Sequence, residues 1–269
     1  MKSSIVAGWV EATLSRVAEA LGCEPAAPAA PPDSQQLLGS HLRKLFSILQ
    51  INCVLDVGAN QGQYGLFLRR AGYNGRIVSF EPVPDDFEVL AQQAAADPDW
   101  EAYCLALGDE DCAREMHVVG ADSLFNSFLA PGMYMRRWGL LADERLEVPV
   151  RRLDGLFPDL MDSLDRHRVY LKSDTQGYDL HVVEGATGVL SSIHALQVEL
   201  ALQPIYEGMT PYRDVLAALK KKGFDVSGFF PISLDDRLRL MEADCVLVAR
   251  DAAGPLGGLH PPDWAPDGE

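Results

Sequence analysis

Basic residues are scarce in this sequence, and their scarcity argues against one class of partner. The 269 residues include 23 Lys and Arg against 39 Asp and Glu, which gives a formal net charge of −16 at pH 7. Proteins that bind nucleic acids gain most of their affinity from Lys and Arg on the phosphates. No basic stripe runs along this chain, so the composition predicts no nucleic-acid partner and favours a small or neutral substrate.

The sequence also lacks paired cysteines and long apolar runs. Its five cysteines are scattered without a C-x-x-C motif, so we expect neither a disulfide framework nor a structural zinc site. Cys53, Cys104 and Cys245 lie in strand-like apolar runs, where a free cysteine usually acts as a small buried hydrophobe. Free thiols are typical of a reducing cytoplasm, which is the predicted location. No stretch is long enough to span a membrane, so no membrane partner is expected.

What the sequence does contain is a glycine-rich turn between a strand and a helix. Residues 54–65 read V-L-D-V-G-A-N-Q-G-Q-Y-G. A short β-branched run stops at the glycines, and an apolar helical pattern follows. Gly58 and Gly62 allow the backbone to approach a ligand closely. A second predicted strand ends at Glu81, 25 residues after Asp56, where a βαβ nucleotide site places its ribose ligand.

The glycine spacing favours one cofactor over another. A dinucleotide site uses G-x-G-x-x-G, but the positions after Gly58 hold Asn60 and Gln63. S-adenosylmethionine (SAM) fits better, with its ammonium near Asp56 and its ribose at Glu81. The alternative is that the glycines only shape a tight turn. The predicted cofactor-binding residues are Asp56, Gly58, Ala59, Asn60, Gly62, Tyr64, Glu81, Pro82, Ala106 and Leu107.

The alternation of patterns predicts the fold class. Strands are expected at 53–57, 76–80, 100–105, 169–173, 195–200, 224–230 and 245–249, and helices at 37–49, 63–70, 84–96, 180–190 and 211–222. The first five strands are joined by helices, and the last two have none between them. This order predicts an α/β, doubly wound, seven-stranded mostly parallel sheet of Rossmann-like type with an antiparallel last strand.

Three further segments flank or interrupt this domain, which we place at residues 36–252. Residues 1–35 comprise an amphipathic helix and a Pro-rich linker, and residues 253–269 form a tail expected to be disordered. The N-terminal helix packs on its own domain, forms a homodimer contact or covers the site, and the pattern does not choose among these. Residues 112–150 break the alternation and are predicted to be a β-rich insertion overhanging the site.

Several of these segments resemble the FkbM-like family of class I SAM-dependent methyltransferases. The matching blocks are 54–62, 80–82, 106–109, 151–154 and, most specifically, L-K-S-D-T-Q-G-Y-D-L-H-V-V-E-G-A at 171–186. The family usually has Glu where Gln176 and Asp179 stand, so this chain departs from it there. The resemblance implies a SAM-dependent O-methyltransferase acting on a hydroxyl of a sugar, glycoside or polyketide-like small molecule.

Methyl transfer to an alcohol also requires a group that removes the hydroxyl proton. The predicted catalytic residues are Asp174 and Glu199, at two strand ends, and His181, provided that its ring faces the site. Other interpretations remain open: Asp174 caps a helix, Glu199 pairs with Lys172, and His181 is an ordinary surface residue. Asp174 and Glu199 also suit Mg²⁺, but a metal is not favoured, and we assign no metal ligands.

The loops around the strand ends supply the predicted acceptor pocket. Its candidates are Ser123, Asn126, Ser127, Tyr178 and Tyr206, while Tyr134 and Trp138 give either a flat face or a small core of the insertion. Two other functions stay open, a nicotinamide-dependent oxidoreductase and a non-catalytic SAM-binding module.

Overall fold

The computed structural model describes residues 34–119, 123–137, 139–140 and 144–252. The predicted N-terminal helix, the Pro-rich linker, Trp138 and the C-terminal tail lie outside these residues. Among the helices of the described residues, none is long and apolar enough to cross a membrane.

A seven-stranded sheet organises the described chain. Its strands are β1 (Cys53–Val57), β2 (Arg76–Phe80), β3 (Trp100–Tyr103), β7 (Val169–Ser173), β8 (Ile193–Ala201), β9 (Phe224–Leu234) and β10 (Leu240–Ala249). Their spatial order is β3-β2-β1-β7-β8-β10-β9. Strands β3, β2, β1, β7 and β8 pair in parallel, and β10 is antiparallel to both β8 and β9. The predicted doubly wound sheet with an antiparallel last strand is confirmed.

Helices cover both faces of this sheet. The described α-helices are Ser34–Leu49, Gln63–Arg70, Pro84–Ala95, Met133–Arg137, Leu153–Met161, Asp179–Glu184 and Tyr212–Lys221. One apolar core includes Leu42, Leu68 and Leu90 from the first three helices. The other includes Phe157 and Leu219 from the later helices. Because both faces are covered, every residue of β1 and β7 is buried.

The two central strands nevertheless each carry one charged residue in mid-strand. Asp56 lies on β1 and Lys172 on β7, and the parallel register of these strands places the two residues side by side. Burying a charge in a covered sheet is costly unless an opposite charge is close. This neighbouring pair satisfies that requirement and lies directly beneath the site described below.

The predicted insertion forms most of a second, three-stranded sheet. Strand β4 (Ala106–Leu107) pairs in parallel with β6 (Glu144–Arg151), and β6 pairs antiparallel with β5 (Cys112–Val118). The predicted third strand was therefore too long, since it stops at Tyr103 and the chain then bends into β4. Cys104 lies in that bend and is exposed, which corrects its predicted burial.

Three helices differ from the sequence-based expectation. The helix Met133–Arg137 lies within the segment that was predicted to be β-rich. The helix Leu153–Met161 was not predicted, because Pro158 stands inside it. The predicted helix 180–190 stops at Glu184, and a short 3-10 helix covers Thr187–Ser192. A Cβ at Gly185 would lie 1.8 Å from the carbonyl oxygen of Gly108, so this end of the helix packs directly on backbone.

Candidate active site

A cleft opens at the carboxyl ends of β1, β2 and β7. It encloses about 620 Å³ when the adjoining open solvent is included. Its walls are formed by Val57, Gly58, Asn60, Phe80, Glu81, Pro82, Ala106, Leu107, Met116, Leu124, Asn126, Phe128, Asp174, Thr175 and Gln176. Ligands of doubly wound sheets bind at this end of the strands.

The glycine turn forms one wall of the cleft through left-handed backbone. Gly58, Asn60 and Gly62 have φ values of 71°, 47° and 90°. A Cβ at Gly58 would lie 2.0 Å from the carbonyl oxygen of Asp174, so only glycine fits beside the end of β7. The turn is thus shaped both by its own backbone and by the neighbouring strand.

Glu81 lies at the end of β2 and is only 6% exposed. Its Oε2 accepts a hydrogen bond from the backbone N–H of Asn60 at 2.8 Å, and its Oε1 accepts one from Val83 at 2.9 Å. Burial raises the pKa of Glu81 to about 7, although the two backbone N–H groups act in the opposite direction. The carboxylate is therefore fixed in place against the glycine turn.

Asp56 lies behind the cleft rather than at its entrance. Its side chain has no exposed surface. Oδ2 accepts a hydrogen bond from Ser79 Oγ at 3.2 Å, and Oδ1 lies 3.2 Å from Lys172 Nζ. The expectation that this carboxylate meets a cofactor ammonium directly is not met, because Asp56 belongs to the covered strand and is already paired there.

Lys172 connects the two strand ends from below. Its Nζ lies 3.2 Å from Asp56 Oδ1, 3.5 Å from Asp174 Oδ2 and 3.4 Å from the carbonyl oxygen of Gly58. Burial alone lowers the pKa of Lys172, but the two carboxylates more than offset it and hold that pKa above its usual value. These contacts correct the alternative in which Lys172 pairs with Glu199.

A buried polar row extends from Lys172 across the sheet, and the sequence patterns did not reveal it. Lys172 Nζ lies 5.1 Å from the centre of the Tyr64 ring. The hydroxyls of Tyr64 and Tyr170 donate to Gln197 Oε1 at 2.7 and 2.8 Å. Gln197 Nε2 donates to Asp244 Oδ1 at 2.8 Å. In the sequence, this row is indicated by one polar residue inside each of two apolar strands, Lys172 and Gln197. The parallel register places these two residues side by side.

Asp174 shares its surroundings with Glu199 through Gln176. Gln176 Nε2 lies 3.1 Å from Asp174 Oδ1 and 3.3 Å from Glu199 Oε2. Burial works against ionisation of Asp174, but Lys172 holds its pKa below the usual range. Burial and the charge of Asp174 raise the pKa of Glu199 well above its usual range. Lys172 therefore favours the ionised form of Asp174, whereas burial beside Asp174 favours the protonated form of Glu199.

The opposite wall of the cleft comes from the insertion. Asn126 Oδ1 accepts a hydrogen bond from the Val119 N–H at 2.9 Å, which fixes the amide. Ser127 Oγ donates to the carbonyl oxygen of Gln176 at 2.8 Å and so ties this segment to the loop after β7. The Tyr206 hydroxyl lies 2.8 Å from Gln176 Oε1. Ser123 begins a 3-10 helix, and Tyr134 lies on the helix Met133–Arg137.

His181 and Tyr178 lie away from the cleft. Their rings stack with centroids 4.1 Å apart. His181 Nδ1 is 3.1 Å from Asp109 Oδ2, and the Tyr178 hydroxyl donates to Asp109 Oδ1 at 3.1 Å. Neither side chain lines the cleft. The condition set for His181 as a base, a ring directed at the site, is not met.

Among the described residues, no group of three or more His, Cys, Asp and Glu is arranged to hold a metal ion.

Comparison with known proteins decides the family. The profile described as "Methyltransferase FkbM domain" matches residues 56–226. The chain belongs to the FkbM methyltransferase family. This match includes both the glycine turn and the block around Asp174, so the resemblance read from those residues is confirmed.

Members and neighbours of the FkbM family give the range of similarity. Methyltransferase sdnD of Sordaria araneosa is 26% identical over 65% of this chain and 74% of its own length. The 2-O-methyltransferase NoeI of Sinorhizobium fredii is 23% identical over 66% of this chain and 74% of its own. A crystal structure of Methyltransferase FkbM from Methylobacillus flagellatus matches with a TM-score of 0.43 and 12% identity. That match covers 88% of this chain and 58% of the solved one, less than two thirds of its length.

Fewer than half of the predicted site residues line the cleft. Those that line it are Gly58, Asn60, Glu81, Pro82, Ala106, Leu107, Asn126 and Asp174. Those behind its walls or away from it are Asp56, Ala59, Gly62, Tyr64, Ser123, Ser127, Tyr178, His181, Glu199 and Tyr206. The cleft also includes Met116, Leu124 and Phe128, which sequence reasoning did not select, because single apolar residues in an insertion carry no local signal. Thr175, next to Asp174, was not selected either.

Proposed function

We propose that the protein transfers a methyl group from S-adenosylmethionine to a hydroxyl oxygen of a small molecule. The carrying observation is the pairing of the Gly58 turn with the buried carboxylate of Glu81 across one end of the cleft. We name residues 57–60, 80–82 and 106–107 the donor half. We name Met116, Leu124, Asn126, Phe128 and residues 174–176 the acceptor half.

The donor half suits the cofactor in shape and in chemistry. Glu81 presents a carboxylate that would accept hydrogen bonds from ribose hydroxyls in place of, or beside, the backbone N–H groups that it now binds. Gly58 lets this turn lie directly against the carbonyl oxygen of Asp174. Phe80, Pro82 and Leu107 supply apolar surface for an adenine ring. S-adenosylmethionine, when bound, supplies a methyl group on a positively charged sulfur.

The acceptor half supplies the group that takes the proton. A hydroxyl must lose its proton as its oxygen gains the methyl group, and a positioned carboxylate performs this task. Asp174 is held ionised by Lys172 and is one-third exposed, so it can receive that proton. Holding the two reactants in line accounts for a large part of such a rate enhancement. Met116, Leu124 and Phe128 provide the apolar face against which the acceptor is oriented.

Titration calorimetry tests the donor assignment. We expect the purified protein to bind S-adenosylmethionine and S-adenosylhomocysteine but not NAD. Binding of NAD without S-adenosylmethionine would overturn the proposal in favour of an oxidoreductase. The variant Glu81→Ala should lose cofactor binding, whereas Glu101→Ala, an exposed carboxylate on β3, should retain it.

A second experiment separates an enzyme from a binding module. Transfer of radiolabelled methyl groups would be measured over a panel of hydroxylated sugars, glycosides and polyketide-like compounds. We expect at least one to be methylated by the wild-type protein and none by Asp174→Asn. If the cofactor binds and Glu81→Ala abolishes that binding, yet no acceptor in a broad panel is methylated, the module interpretation would gain.

A further inference from the structure

We propose that Lys172 is a positioning residue, which keeps Asp174 ionised and holds the Gly58 turn against it. This inference rests on the proposed function, because it assigns Lys172 a task in the methyl-transfer site. Lys172 itself is only 4% exposed and does not line the cleft, so it acts through its neighbours rather than on substrate.

The contacts of Lys172 join the two halves of the cleft. One neighbour, the carbonyl oxygen of Gly58 at 3.4 Å, belongs to the donor half. Another, Asp174 Oδ2 at 3.5 Å, belongs to the acceptor half. The third, Asp56 at 3.2 Å, lies between them on the adjacent strand and is fully buried. A single ammonium therefore lies within ion-pair distance of two carboxylates and also contacts the turn.

The remaining oxygen of Asp174 shows why orientation depends on this lysine. Asp174 Oδ1 accepts a hydrogen bond from Gln176 Nε2 at 3.1 Å, while Oδ2 faces Lys172. Gln176 donates to Glu199 as well, at 3.3 Å, so its amide alone does not hold Asp174 in place. With Lys172 removed, Asp174 would keep its hydrogen bonds with Gln176 and Glu199 but would lose the positive charge that faces Oδ2.

The charged and titratable groups that face Asp174 or Lys172 come from several elements. They are Asp56 on β1, Tyr64 on the helix Gln63–Arg70, Glu81 after β2, Asp179 after β7, Glu199 on β8, Tyr206, and Glu242 and Asp244 on β10. Every charge that this set can carry is negative, whereas Lys172 is positive. Its removal should raise the pKa of Asp174.

The test must separate positioning of Asp174 from mere neutralisation of buried Asp56. The single variant Lys172→Met leaves Asp56 as an unpaired buried charge and is expected to unfold at a lower temperature. The double variant Asp56→Asn/Lys172→Met removes both members of the buried pair, so it should recover most of that stability. Lys222→Met is the matched control, since it removes a lysine that pairs with Glu184 at 3.0 Å. Neither of these two residues lines the cleft.

Carbon-13 NMR of labelled aspartate carboxyls gives a readout that needs no cofactor. The Asp174 resonance is assigned by its loss in Asp174→Asn. In the double variant we expect the Asp174 pKa to rise by at least about one pH unit over the wild-type value, and in Lys222→Met we expect no change. An unchanged Asp174 pKa in the double variant would overturn the inference even if the proposed function holds.

Calorimetry then connects this change to the cofactor. In the double variant, the affinity for S-adenosylmethionine should fall at least about tenfold, because Lys172 no longer holds the carbonyl oxygen of Gly58. A cofactor affinity equal to that of the wild type, together with an unchanged Asp174 pKa, would reduce Lys172 to a structural counter-ion. Failure of the wild-type protein to bind the cofactor would refute the proposed function, and the NMR result would still decide the role of Lys172.

Discussion

The donor and acceptor halves of the cleft differ in how far apart their contacting residues lie in the sequence. In the donor half, the contacts of Glu81 reach Asn60 and Val83, at separations of 21 and 2 residues. In the acceptor half, the contact from Ser127 to Gln176 spans 49 residues and that from Tyr206 to Phe125 spans 81. A site whose contacting residues lie close together in the sequence can be predicted from a motif. A site whose contacts join distant residues cannot.

The largest effect is expected from altering a place where the two halves touch through backbone. Gly58→Ala would place a Cβ 2.0 Å from the Asp174 carbonyl oxygen. Because the backbone cannot move aside without strain, we expect the unfolding free energy to fall by at least about 3 kcal/mol. Cofactor binding should be lost as well. Denaturant unfolding and calorimetry measure both.

Gly72→Ala is the matched control for that substitution. Gly72 also has a positive φ, 89°, but no atom lies within 4 Å of the position a Cβ would take. The cost should be about 1–2 kcal/mol of backbone strain, with cofactor binding retained. Equal costs for the two substitutions would show that the contact between strand ends is unimportant.

The next largest effect is expected within the donor half alone, from Glu81→Gln. A neutral amide cannot replace the carboxylate towards ribose hydroxyls, so affinity for S-adenosylmethionine should fall roughly 30-fold. In the wild type, affinity should decline as pH falls below 7, because Glu81 then gains a proton. Calorimetry from pH 5.5 to 8 checks both statements, and a flat wild-type profile would argue against Glu81 as the ribose ligand.

The same residue gives a stability effect with a defined sign. Burial raises the pKa of Glu81 from 4.5 to about 7, so the folded chain holds this proton when the unfolded chain has lost it. The contribution of Glu81 to stability is therefore greatest below pH 4.5, falls by about 3 kcal/mol as the pH rises to 7, and then stays constant. Glu81→Gln should lack this decline, which urea titrations at several pH values would measure.

The smallest effect sharpens the comparison from the acceptor side. Tyr206→Phe removes a hydroxyl that lies 2.8 Å from Gln176 Oε1 and 3.2 Å from the Phe125 carbonyl oxygen. We expect a loss of about 1 kcal/mol in unfolding free energy and cofactor affinity within twofold of wild type. A large loss of cofactor affinity would mean that the two halves are not separate in energy.

The same difference explains how much could be predicted from sequence. Strands β1, β2 and β7 occupy the residues expected of them, because a buried parallel strand is a continuous apolar run with a sharp end. The turn at Gly58 and its partner Glu81 followed from spacing alone. Family resemblance supplied the block around Asp174, but not its contacts.

What could not be predicted depends on pairing between distant strands. One alternative interpretation paired Lys172 with Glu199, yet the register of β1 against β7 gives it Asp56. The position of His181 could not be predicted either. Its ring contacts Asp109, which lies 72 residues away in the sequence, rather than the cleft. The pair of Asp56 and Lys172 could be predicted only from knowledge of which strands are neighbours in the sheet.

The second sheet has one further consequence, for how this protein can vary. The inserted segment leaves the main fold at β4 and returns to it at β6. These two strands pair, Ala106 with Val150 and Leu107 with Arg151. Departure and return are thus side by side, so the intervening loop can lengthen, shorten or be exchanged without displacing the strands beneath it. The inserted segment is therefore a replaceable unit. Evolution or protein engineering can exchange the acceptor wall while the donor half stays unchanged.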